Sequence, residues 1–217
     1  MCPASRPSRP AASTRRYGGK SAEERRTERR AALVAAARET WREQGWAAVT
    51  MRGVCARAGL TDRYFYESFR DREELLAAVW DVVRERTFAT LVEAIASHAS
   101  EDPDAQLRHV LERVLHEIAD DPAEAQILFG DHAGSVLLEQ RRRETIQLTC
   151  DLLIDLLRPR LRADVDETAL RVGVLVGIGG FVEVVLAWRS GLIGVDVDTL
   201  VEHISAAADA VSPRFLA

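Results

Sequence analysis

Apolar residues recur every three to four positions along most of the chain, and no segment alternates with period two over several residues. This pattern predicts an all-α protein, and capping residues, glycines and prolines divide it. Ser21-Ala-Glu-Glu24 is a capping box, in which a hydroxyl and a carboxylate each satisfy a first-turn amide. It opens a helix bearing Leu33, Val34, Ala36, Ala37 and Trp41, and Gly45 is its stop. Thr50 caps a short helix over 51–58 that Gly59 ends, and Thr61 caps another over 62–68. Asp71-Arg-Glu-Glu74, a second capping box, begins a helix running to about Ser97. Further helices are expected over 103–119, 122–132 and 135–161. A third box, Asp164-Val-Asp-Glu167, leads into 168–189, and 198–211 closes the series.

Three segments follow from this pass. Residues 1–20 carry prolines, serines, glycines and five cationic side chains; they read as a disordered basic arm that cannot bury enough apolar area to order itself. Residues 21–70 form a small helical domain, and 71–217 a larger helical one. Charge divides the same way. Residues 1–75 hold 16 basic and 10 acidic residues, a net of +6, and the remainder nets −11 within an overall −5. A basic front on an acidic body suggests a polyanion-binding module joined to one that does not touch polyanions.

The sharpest local feature is TMRGVCARAGLTDRYFYESF, residues 50–69. Two short helices meet at a tight turn through Gly59, with Val54, Ala58, Leu60 and Phe65 closing a small core between them. That is a helix-turn-helix, which lays the N-terminal part of its second helix in the DNA major groove. Together ALVAAARETWREQGW (32–46), VTMRGVCARAGLTDRYFYESF (49–69) and RDREELL (70–76) resemble the DNA-binding domain of the TetR family of transcriptional regulators. Thr40, Arg63-Tyr64 and Glu67-Ser68 depart from the usual pattern, which bears on the operator sequence and not on the fold.

The resemblance implies roles. Thr50 would cap the second helix and touch a phosphate; Arg52 would point at the groove; Thr61, Asp62, Arg63 and Tyr64 would present to base edges or nearby backbone. Tyr66 would lie on a phosphate and Arg72 would clamp another. Arg63 or Arg52 has the geometry to bind guanine bidentately, and Asp62 to accept from cytosine N4. Arg15, Arg16, Arg25 and Arg26 would either enter the minor groove as an arm or add only nonspecific attraction. The resemblance also implies an effector pocket among the later helices and a homodimer through the last two long ones. Trp80, Phe88, His116, Phe129, His132, Cys150, Glu183 and Trp188 are the candidate pocket residues, with ordinary core or surface as the alternative for each. Glu183, a carboxylate in an apolar helix, needs a partner: Arg189, a residue of a second copy, or a cationic effector. Glycine inside a helix costs up to ~1 kcal/mol against alanine, so Gly173, Gly177, Gly179 and Gly180 call for an offsetting gain such as close helix approach. Gly173, Gly177, Gly180, Val184, Leu200, Ile204 and Ala208 are the candidate dimer face of a four-helix bundle.

Other classes are poorly supported. Residues 172–188 are almost wholly apolar but fall short of the ~20 a bilayer span needs and include Glu183, so a buried helix and no membrane partner are expected. Cys2, Cys55 and Cys150 are scattered and odd in number, which disfavours disulfides and zinc and suits the cytoplasm. His109, Glu112 and His116 share a helix face, but i and i+7 lie ~10 Å apart along the axis, so no metal site is expected. There is no glycine-rich phosphate loop, nucleophile elbow or HExxH, and no cofactor is expected. The expected function is therefore a ligand-responsive homodimeric regulator, released as a repressor from double-stranded operator DNA by a small-molecule effector. An architectural DNA-binding protein is the alternative, and an all-α enzyme using Glu183, His116 and His132 a remote one.

Overall fold

Most helix starts coincide with capping side chains in the computed structural model, which describes residues 21–98, 102–130, 132–210 and 214–216. The basic arm expected over 1–20 lies outside these residues. Helix α1 (Ala22–Gln44) opens on Ser21, whose hydroxyl accepts from the Glu24 amide at 3.0 Å while the Glu24 carboxylate accepts from the Ser21 amide. It ends at Gly45, φ +82°. A 3-10 turn over Trp46–Ala48, which the periodicity does not signal, leads to α2 (Met51–Ala58). Thr50 caps α2 by accepting from the Gly53 amide at 3.2 Å. Gly59 takes the left-handed conformation, φ +65°, that its lack of a Cβ allows.

Helix α3 (Asp62–Tyr66) stops two residues short of expectation, because the chain tightens as the Ser68 amide bonds the Phe65 carbonyl three residues back. Next come α4 (Arg72–Ser97), α5 (Pro103–Asp120), α6 (Pro122–Phe129) and α7 (Val136–Leu157). Helix α7 gives way to a 3-10 turn over Arg158–Arg160, since Pro159 lacks the amide that would continue it. The cap of α8 (Glu167–Arg189) is Asp166, accepting from the Thr168 and Ala169 amides at 2.7 and 3.1 Å; Asp164 of the expected box pairs with Arg162 instead. Asp196 caps α9 (Val197–Asp209). Among the described residues the only strand-like pairing is an isolated bridge between Leu161 and Leu216.

Three apolar clusters hold these helices together. The first joins Leu33, Ala37 and Trp41 of α1 to Val54, Phe65, Phe69, Leu75, Leu76, Val79 and Trp80, and includes Ile127 and Leu138. The head core thus extends beyond residue 70 into α4, α6 and α7. The second cluster sets α9 on α5, with Leu115, Ile118, Leu200 and Val201 at its centre. The third sets α8 on α7 through Cys150, Ile154 and Leu170, with Phe215 from the C-terminal segment laid between them. Between the α5–α9 pair and the α7–α8 pair the helices part.

Candidate functional site

The outer face of the head is built by what faces inward. Phe65 and Phe69 are almost fully buried, with ring centroids 5.7 Å apart, and they fix the rotation of α3. Its remaining side chains must then point outward. Thr61, Asp62, Arg63 and Tyr66 are exposed, and Arg63 reaches solvent with 83% of its side chain while pairing with Glu67 at 3.1 Å. The Thr61 hydroxyl makes no capping bond, which leaves it available to a ligand. Thr50 and Arg52 are exposed alongside, on the first turn of α2. Tyr64 is half-buried beneath Arg29, whose guanidinium lies 4.4 Å from its ring centre. A pair of short helices presents a cation, a carboxylate, hydroxyls and a phenol, backed by a dry core.

The later helices enclose a cleft of about 1230 Å³ bounded by α4, α5, α6, α7, α8 and α9. Its wall is chiefly aliphatic, with Phe88, Phe129 and Phe181 as its aromatics apart from the C-terminal Phe215. One stripe of α7 faces it: Arg142, Thr145, Ile146, Thr149, Leu153, Leu156 and Leu157. The other notable surface is α8 itself. It is long and apolar enough to cross a membrane by length and composition, yet only 17% of its most apolar stretch is buried within the chain. Val172 is 55% and Val176 69% exposed. A Cβ on Gly177, Gly179 or Gly180 would meet nothing within 4 Å.

Residues 33–79 match the family model for bacterial regulatory proteins of the tetR family. This head is a TetR-family DNA-binding domain. The whole fold agrees with solved structures at low identity. A transcriptional regulator from Rhodococcus is 17% identical with a TM-score of 0.70, covering 86% of this chain and 97% of its own. The fatty acid degradation regulator FadR from Bacillus halodurans is 18% identical with a TM-score of 0.64, covering 82% and 93%. FadR from Bacillus subtilis, solved with stearoyl-CoA, is 17% identical with a TM-score of 0.65, covering 81% and 95%. No curated protein sequence matches the chain.

Within this architecture the expected residues scatter in an instructive way. Arg72 does not stand free for a phosphate. Its Nε donates to the Val49 carbonyl, its Nη2 to the Trp46 carbonyl and its Nη1 to Glu73, with Trp46 beneath it. It pins the 3-10 turn that delivers Thr50 to α2. Of the expected pocket residues, Phe88 and Phe129 reach the cleft. Trp80 and His132 instead pack into the head, His132 edge-on to both Trp41 and Trp80 at 5.7 and 5.1 Å. Cys150 is buried in the α7–α8 seam, where burial pushes its thiol pKa up, as it does for Cys55 in the head. Both stay protonated and unreactive near neutral pH.

His116 lies 3.2 Å from Asp198 and bridges α5 to α9 from outside the cleft. His109 stacks on His98 at 4.2 Å, so the two histidines of that polar face serve different neighbours. Trp188 donates to the Val195 carbonyl at 2.8 Å and closes the α8–α9 loop. Glu183 is exposed, needing no partner in the chain, because the helix around it is itself uncovered. The expectation of a buried helix here fails within one chain for the same reason. All seven candidate dimer residues border the cleft. Gly173 among them already has an internal explanation: a Cβ there would meet the Phe215 ring at 3.0 Å.

Sequence reasoning missed the link between head and body. Arg38 lies against Glu124, its Nε 2.9 and 2.8 Å from the two carboxylate oxygens and its Nη2 2.7 Å from one of them, and Arg42 reaches Asp121 at 3.0 Å. Gln126 donates to the Arg42 carbonyl at 2.8 Å, so α6 grips the end of α1 with charge and amide alike. The Glu124 hydrogen bond raises the Arg38 pKa further, leaving it permanently charged. Residues 79 to 86 positions apart carry no local signature of such pairing.

Proposed function

We propose that the protein is a homodimeric DNA-binding transcriptional regulator, and a repressor that leaves its operator when a small molecule occupies the cleft. The observation that carries this reading is the exposed face of α3 and the first turn of α2, held against a rigid core. Thr61, Asp62, Arg63 and Tyr64 address base edges or adjoining backbone, Arg52 the groove, and Thr50 and Tyr66 phosphates. A bidentate Arg63–guanine contact is worth ~1–3 kcal/mol of discrimination.

The uncovered α8 supports the dimer. A second copy laid against α8 and α9 removes valines and leucines from water, and Gly177 and Gly180 let two helices approach closely. A two-fold pair then sets two recognition helices ~34–36 Å apart, one turn of DNA. The aliphatic cleft supports an effector with a large apolar part, and the stearoyl-CoA bound to FadR of Bacillus subtilis, a protein of similar fold, points the same way. For release, the effector must bind the non-DNA-binding state more tightly; a coupling of ~1–3 kcal/mol suffices.

Footprinting of the purified dimer on the DNA upstream of its own gene tests the proposal. Protection of a site with two related half-sites, lost in Arg63→Ala, is expected. Equal affinity for random DNA would favour an architectural role, and no protection at low salt would overturn the reading.

A further inference from the structure

We infer that the cleft takes a single long aliphatic chain ending in an anion, and that Arg142 receives the anionic end. This rests on the regulatory reading above and specifies its effector.

The charged groups on the cleft wall decide the orientation. Arg160 is already occupied, donating to the buried Gln106 side chain at 2.8 Å. Asp166 is used to cap α8, and His203 and Arg214 are exposed at the margin. Arg142 differs from all of these. It is partly buried on α7, and among the described residues it has no ion pair or hydrogen bond, whereas its neighbour Arg141 is paired with Asp81 and Glu144. The Arg142 guanidinium stands at the edge of an apolar wall with no acid beside it to answer its charge. A carboxylate or phosphate does so in bidentate form.

The stripe below Arg142 fits a chain. Thr145 and Thr149 lie one and two turns on, with their hydroxyls donating back to the Arg141 and Thr145 carbonyls and so turned from donating to a ligand. Beyond them the α7 wall is leucine down to Leu157, which lies fifteen residues or ~22 Å of helix from Arg142. The carboxylate on the wall, Asp166, belongs to the far end, away from the proposed anion. An aliphatic trough with an unpaired cation at one end orients an anionic chain. The head would lie one turn from Thr145, whose hydroxyl accepts from Trp80 Nε1 at 3.2 Å, and Trp80 belongs to the DNA-binding core.

Isothermal titration of the full-length dimer, freed of co-purified lipid, with hexadecanoate, hexadecanoyl-CoA, octanoate and hexadecanol below their aggregation limits tests this. Hexadecanoate or its CoA thioester should bind at least tenfold more tightly than octanoate and than hexadecanol. The stronger of the two identifies the source of the negative charge. Arg142→Gln should lose at least tenfold for the anionic chain and little for hexadecanol, with Arg142→Lys in between; the hexadecanol signal also reports that the cleft is intact. Equal affinity of wild type and Arg142→Gln for hexadecanoate, or of wild type for hexadecanoate and hexadecanol, overturns the assignment of the head. Failure of every chain to bind a dimer that still protects its operator overturns this inference alone. Loss of operator binding in the ligand-free wild type overturns the regulatory reading instead.

Discussion

The head and the α8 face use their apolar residues in opposite ways. In the head, Trp41, Phe65, Phe69, Leu75 and Trp80 close on one another with almost no exposure, and every helix is pinned by a cap or an ion pair. Along α8, valines and glycines stand uncovered and border a cleft. A segment that satisfies itself is ready to present a fixed pattern to a ligand as regular as duplex DNA. A segment that leaves apolar surface in water has its partner elsewhere, and can be altered by what binds it.

The largest expected contrast comes from one substitution in each region. Phe65→Ala should cost ~3–5 kcal/mol and shift the denaturation midpoint of the head accordingly. Val176→Glu should leave that midpoint nearly unchanged while abolishing the dimer in sedimentation; a dimer that survives it would remove α8 from the interface. A smaller effect is expected where the two regions meet. A double-mutant cycle on Arg38→Ala and Glu124→Ala should return a coupling of ~0.5–3 kcal/mol by urea unfolding, and a value of zero would mean that this pair adds nothing to the α1–α6 contact. Smallest are the glycines. In chains diluted to monomers, Gly177→Ala and Gly180→Ala should each gain up to ~1 kcal/mol from helix propensity. Gly173→Ala should gain less, because Phe215 must yield to the new methyl. Equal gains at all three would show that the Phe215 contact is loose.

The same contrast explains what was legible beforehand. The bounds of α2 can be read from Thr50 and Gly59 because a cap and a left-handed turn are local chemistry. The exposed face of α3 follows from the spacing of Phe65 and Phe69. The cleft is another matter. Trp80 and His132 are as plausible in a pocket as in a core, and the structure decides only through Trp41, a residue 91 positions before His132. Glu183 shows the reverse error: a carboxylate among valines looks buried unless the helix itself is bare. Arg142 gives no sign in sequence that sets it apart from Arg141 and Arg143, since its freedom depends on which acids lie opposite.

Arg72 has a consequence for the ionic-strength dependence of complex formation. Each basic side chain that neutralises a phosphate releases condensed counterions and adds ~0.9 to the slope of log affinity against log salt. A guanidinium bound to two carbonyls and Glu73 has its charge answered at home. Arg72 should therefore add nothing to the steepness of the salt titration, and its removal would loosen the turn before α2 without flattening the line.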